Sequence, residues 1–168
     1  MYVDIHCHLL PGLDDGPETL ERALHLARHA VAGGITRCVT TPHILPGRYD
    51  NTLPRIREAT AQFRDVLARH AIPLSVGYAA EIRVSPEVIT MAEEGQLPVI
   101  GSVDGYQVVL LEFPDSQILP GTDKLLAWLL NRRYRPLIAH PERNKAVMKN
   151  LDAIAPFVEM GCWLQRSE

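Results

Sequence analysis

The sequence predicts an α/β fold in one domain, with parallel strands joined by right-handed crossovers. Strand-like and helix-like segments alternate from end to end of the 168 residues. One segment, Gln107–Phe113, is almost continuously apolar, as expected of a strand covered on both faces. In addition, successive strands end in His or Glu, and those ends carry the functional argument.

The first strand is expected at Tyr2–His8, where Tyr2, Asp4 and His6 alternate with Val3, Ile5 and Cys7 across the pleat. A loop rich in Gly, Pro and Asp, Pro11–Pro17, leads to a helix from Glu18 to about Ala32. Leu20, Leu24, Ala27 and Val31 recur there at spacings of three and four, and Gly33-Gly34 ends it. A strand at Ile35–Thr41, a helix near Leu53–His70 and a strand at Leu74–Ile82 follow. Pro86–Glu94 reads as a short helix and Leu97–Ile100 as a short strand. After Gln107–Phe113 come a helix at Thr122–Arg133, a strand at Pro136–His140, a helix near Leu151–Met160 and a last strand at Cys162–Gln165.

Composition narrows the function classes. Lys and Arg number 17 against 20 Asp and Glu, a formal net charge of −3, which supplies no basic stripe for nucleic acid. No apolar run is long enough to span a bilayer, and no signal-peptide pattern follows Met1. The cysteines Cys7, Cys38 and Cys162 are odd in number and lack C-x-x-C spacing, so they read as buried hydrophobes in a cytosolic protein.

The strand ends carry chemistry. His6 and His8, two residues apart, face the same side of their strand. His43 follows Thr40-Thr41-Pro42, Glu81 follows Ala79-Ala80, Glu112 follows Leu110-Leu111 and His140 follows Ile138-Ala139. In a parallel array the C-terminal strand ends share one edge, where active sites gather. Taken singly, Glu81 or Glu112 is as simply an ion-pair partner. Together, the recurrence points to a divalent metal site, because a carboxylate buried behind an apolar strand needs a compensating charge. Imidazole and carboxylate donors without thiolate favour manganese, iron or zinc, and the number of donors suits two or three ions. Such sites hydrolyse esters. Arg143 offers either a planar grip on a phosphate or an ordinary surface charge. His25, His29 and His70 lie on helices and are expected in solvent.

Several motifs together resemble the polymerase and histidinol phosphatase (PHP) superfamily. These are Asp4-Ile5-His6-Cys7-His8, Asp14-Asp15-Gly16-Pro17, Thr40-Thr41-Pro42-His43, Ala80-Glu81-Ile82, Leu111-Glu112-Phe113, Ile138-Ala139-His140-Pro141-Glu142-Arg143 and Met160-Gly161-Cys162. Within that superfamily the chain is most similar to the metal-dependent protein tyrosine phosphatases of bacterial capsular and exopolysaccharide biosynthesis. The resemblance implies a distorted β/α barrel and a manganese-loaded phosphomonoesterase. Its substrate would be the phosphotyrosine tail of a bacterial tyrosine autokinase. It assigns His6 and His8 to one metal, Glu81 to a bridging position, Glu112 and His140 to a second metal, Asp15 and His43 to a third, and Arg143 to the substrate phosphate.

One departure sets further expectations. Members of the resembled group carry a later Asp-x-His motif, and none follows His140 here. The barrel is therefore expected to lack its last β/α units, with an incomplete metal cluster, weakened activity and an open sheet edge that favours self-association. Two alternatives stand beside the phosphotyrosine phosphatase. One is a histidinol-phosphate-type phosphatase of the same superfamily. The other is an inactive metal-binding module that only binds phosphotyrosine or a kinase tail.

Overall fold

The computed structural model describes residues Tyr2–Ser167, which divide into two compact units, one reaching to Glu81 and one starting at Ile82. The parallel α/β expectation holds in both. In the first unit, β1 (Tyr2–Cys7), β2 (Ile35–Thr40) and β4 (Ser75–Tyr78) form a sheet of order β1-β2-β4, parallel throughout. Helices α1 (Leu20–Ala32) and α2 (Leu53–Arg69) make the crossovers, and a two-residue strand β3 (His43–Ile44) follows β2. Thr19 caps α1 by accepting from the N–H of Arg22, and Thr52 caps α2 by accepting from that of Arg55. Of the stripe expected on α1, Leu24 and Ala27 are buried, together with Ala23, while Leu20 is exposed and Val31 half-buried; α2 buries Ile56, Phe63 and Leu67.

The expected strand Leu74–Ile82 is broken. β4 ends at Tyr78, and a separate strand β5 (Glu81–Arg83) begins after Ala79-Ala80. Along β2 the ladder carries on through the Ala79 N–H, which donates to the Thr40 carbonyl. Beyond Thr41 the neighbouring chain reaches Pro42, which has no N–H to donate, and regular pairing cannot continue. The Glu81 N–H instead lies 3.3 Å and 3.2 Å from the carbonyls of Thr41 and Pro42.

In the second unit the strand order is β5-β7-β8-β9, with β7 at Tyr106–Glu112, β8 at Tyr134–Ala139 and β9 at Trp163–Gln165. β7, β8 and β9 run parallel, and Val109, Leu110, Leu111 and Ile138 are fully buried. Their cover includes Leu126 and Leu129 of α4 (Thr122–Asn131), and the short α3 spans Glu87–Glu93. The strand expected at Leu97–Ile100 is displaced to β6 (Gly101–Val103), which pairs antiparallel with β7. The reason is a two-residue hairpin, Asp104-Gly105, with φ of +51° and +77°, a turn that matches the twist of the flanking strands. The helix expected near Leu151–Met160 is shorter, with a 3-10 turn at Leu151–Ala153 and then α6 (Ala155–Glu159). Ahead of it lies α5 (Lys145–Lys149). Cys7, Cys38 and Cys162 are free thiols; Cys38 and Cys162 are buried as expected, whereas Cys7, near the end of β1, is only half-buried. No described helix is long and apolar enough to cross a membrane.

Candidate metal centre

The C-terminal end of β1 presents His6 and His8 to one buried carboxylate. Glu81 is fully buried, and its Oε2 lies 3.0 Å from His6 Nε2 and 3.1 Å from His8 Nε2. The two Nε2 atoms are themselves 3.3 Å apart. Strand alternation aims both rings the same way, and the intervening Cys7 turns aside, its Sγ 3.4 Å from the Val39 carbonyl. A buried carboxylate oxygen and two half-buried imidazole nitrogens drawn to one point form a donor set for a divalent cation.

His8 is oriented from behind by Asp14, which the sequence reading passed over in favour of its neighbour. Asp14 Oδ2 lies 2.6 Å from His8 Nδ1, and its carboxylate is almost fully buried. The same oxygen accepts from the His43 N–H at 2.9 Å, while Oδ1 accepts from the Gly16 N–H at 3.0 Å. With Nδ1 donating to Asp14, Nε2 carries the lone pair that a cation needs, the usual carboxylate–histidine–metal arrangement. The signal was present in Asp14-Asp15-Gly16, an Asx turn closed by glycine. Gly16 is required on steric grounds, because a Cβ there would stand 2.7 Å from the His8 carbonyl oxygen.

The electrostatics follow from these contacts. Burial works against a charged His8, but the hydrogen bonds it donates to Asp14 and Glu81 outweigh it and push its pKa up to about 10. Burial opposes ionisation of Asp14, yet His8 and the two backbone N–H groups hold its carboxyl below the usual value.

Asp15 and His43 form a second group around His8. Asp15 Oδ1 lies 3.5 Å from His43 Nε2 and 4.0 Å from His8 Nδ1, and His8, Asp15 and His43 each place a ligand atom within 4.8 Å of the others. Asp15 is exposed, unlike Glu81. His43 stacks on Tyr49 with ring centroids 5.7 Å apart, and Asn51 donates to the carbonyls of Leu13 and His43. The first unit thus brings together His6, His8, Asp15, His43 and Glu81 of the expected residues.

The second unit holds the remaining three. Glu112 ends β7 and His140 follows β8, with His140 Nε2 3.9 Å from Glu112 Oε1. Glu112 also has the ion-pair partner that the simpler reading required: Arg83 donates to its Oε2 through Nε and Nη2, both at 2.9 Å. His140 has φ +29°, a strained conformation for a residue with a Cβ, of the kind that concentrates at functional sites. Its N–H donates to the Gln165 carbonyl at 2.6 Å. Arg143 ends the 3-10 turn Pro141–Arg143 and is exposed.

Comparison with known proteins is consistent with this site. Residues 2–167 match the family described as capsular polysaccharide synthesis, CpsB/CapC. The tyrosine-protein phosphatase YwqE of Bacillus subtilis is 36% identical over 159 residues, covering 95% of this chain and 61% of that protein. The tyrosine-protein phosphatase CpsB of Streptococcus pneumoniae is 27% identical over 97% of this chain and 66% of its own. A crystal structure from work on YwqE and CpsB, described there as metal-dependent tyrosine phosphatases, matches with a TM-score of 0.89 at 36% identity. It covers 98% of this chain and 66% of that one. The chain therefore spans less than two thirds of the length of these relatives. By the match along its length, the chain belongs to the CpsB/CapC family of capsular polysaccharide synthesis.

Proposed function

We propose that this chain carries the catalytic centre of a metal-dependent protein tyrosine phosphatase. It would act in the cytoplasm on the phosphotyrosine tail of a bacterial tyrosine autokinase in capsular or exopolysaccharide synthesis. The observation that carries the reading is the buried Glu81 carboxylate, met by both His6 and His8 at about 3 Å. The naming of the relatives as tyrosine-protein phosphatases supports the reaction class.

The donor set fits manganese, with iron or zinc as the nearest substitutes. His6, His8 and Glu81 would hold one ion, and Asp15 and His43 would serve another beside it. Glu112 and His140 are assigned a further ion by family resemblance, with Arg143 as the phosphate grip. Bound cations acidify water and screen charge on phosphoryl oxygens. The chain's own part is to hold that arrangement rigidly. Asp14 fixes the tautomer and direction of His8, and burial of Glu81 keeps its carboxylate from competing water. Arg143 would neutralise charge spread over the transferred group.

Turnover of a phosphotyrosine peptide with manganese, paired with metal analysis, tests this. Expected is hydrolysis that chelation abolishes and that His6→Ala removes together with bound metal. Arg143→Ala should retain the metal while losing on the order of 2–4 kcal/mol of transition-state binding. Preference for histidinol phosphate would move the chain to the other phosphatase class. Bound metal and phosphotyrosine without turnover would make it a binding module.

A further inference from the structure

A cavity of about 560 Å³ opens beside the candidate metal centre, within the first unit. Its wall begins with His8 and Asp15 and continues over Pro17, Arg22, His25 and Leu26. It is thus continuous with two of the residues assigned above to cations, and its far side belongs to the loop before α1 and the first turns of that helix. The volume lies within the range of small-ligand pockets.

Leu26 is the informative residue. The buried face of α1 consists of Ala23, Leu24 and Ala27, and Leu26 stands off that face, 43% exposed. Leu20 of the same helix is as exposed, at 42%; what sets Leu26 apart is that it lines the cavity, next to ionisable groups. Pro17 is buried and faces the same cavity, so the wall facing away from the metal ligands has an apolar floor. Its charged groups, Glu21 and Asp15 against Arg22, leave it net negative, and Arg22 is itself paired with Glu18 at 3.5 Å. Such a wall offers little to a second phosphate. It suits a flat apolar group attached to the phosphate, with Arg22 placed to lie along an aromatic face.

We propose that the cavity walled by Pro17, Arg22 and Leu26 receives the aryl ring of the phosphorylated tyrosine, so that Leu26 selects aryl over alkyl phosphates. The inference rests on the phosphatase reading above and deepens it. Leu26 is a specificity-determining contact under this assignment and has no part in the bond-breaking chemistry.

Binding of phenylphosphonate and methylphosphonate to the manganese-loaded protein, measured by calorimetry, tests it without turnover. The wild type should prefer phenylphosphonate by at least about tenfold, the discrimination expected of an apolar contact. Leu26→Ser should erase most of that preference while leaving methylphosphonate affinity within about twofold. Leu20→Ser is the matched control, because Leu20 is an equally exposed apolar residue of α1 (42%) that does not line the cavity, and it should keep the preference. If both phosphonates bind equally to the wild type, or the preference survives Leu26→Ser, the cavity assignment is overturned and the phosphatase reading stands. If neither phosphonate binds the metal-loaded wild type, both fall together.

Discussion

Asp14 Oδ2 lies 2.6 Å from His8 Nδ1, and this contact sets which nitrogen of His8 faces Glu81. A buried carboxylate behind an imidazole makes that imidazole a better and more rigid donor. The same carboxylate holds the His43 and Gly16 backbones, so one side chain ties the two donor groups of the first unit together.

Asp14→Asn keeps the shape and removes the charge. Manganese affinity should fall by about 10- to 100-fold, the usual cost of losing such an outer partner, with the fold intact by circular dichroism. Unchanged affinity in a calorimetric titration would show that His8 needs no orienting carboxylate.

Metal binding should be linked to proton release from His8. In the metal-free protein its pKa is raised from 6.5 to about 10, so the proton stabilises the fold fully below about pH 6.5. That contribution is lost as the pH rises toward about 10. Between those limits a cation must displace the proton, and affinity should rise by up to about tenfold per pH unit. Calorimetry in buffers of different ionisation enthalpy reads the released proton directly. A pH-independent affinity across this window would contradict the linkage.

Gly16→Ala should damage the centre through sterics alone. The added methyl would meet the His8 carbonyl oxygen at 2.7 Å, backbone that has little room to yield. A loss of about 1–3 kcal/mol in thermal or urea unfolding is expected, together with weaker metal binding. Wild-type stability would mean that the loop before α1 relaxes freely.

In the second unit, Arg83→Met leaves the Glu112 carboxylate without the two donors at 2.9 Å. Removing the donor that makes two contacts to a largely buried carboxylate weakens its compensation, and destabilisation on the order of 1–3 kcal/mol is expected. If Glu112 also ligates a cation, added manganese should recover part of that loss by mass action. Denaturant titration with and without the metal separates the two roles.

Much of this was legible along the chain because it depends on local rules. Strand alternation alone puts His6 and His8 on one side, and apolar spacing with the Gly33-Gly34 stop places α1 to within about two residues. Asp14 was missed because sequence cannot say which of two adjacent carboxylates turns inward. Here the Gly16 N–H and the His43 N–H both converge on Asp14, and Asp15 is left exposed. His25 reads along the chain as an ordinary solvent-facing helix residue, and only the fold places it on the wall of a cavity with Leu26.

The sequence by itself determined the parallel α/β class, the residue types at the strand ends and the family to which they belong, since these rest on periodicity and on motifs in order. Only the tertiary structure decided where the strand after α2 breaks. It ends at Tyr78 because its neighbour runs into Pro42, and that interruption delivers the Glu81 carboxylate to His6 and His8. Such a meeting joins residues more than seventy positions apart. It is settled by which backbone donors remain to be paired, and no local pattern records that.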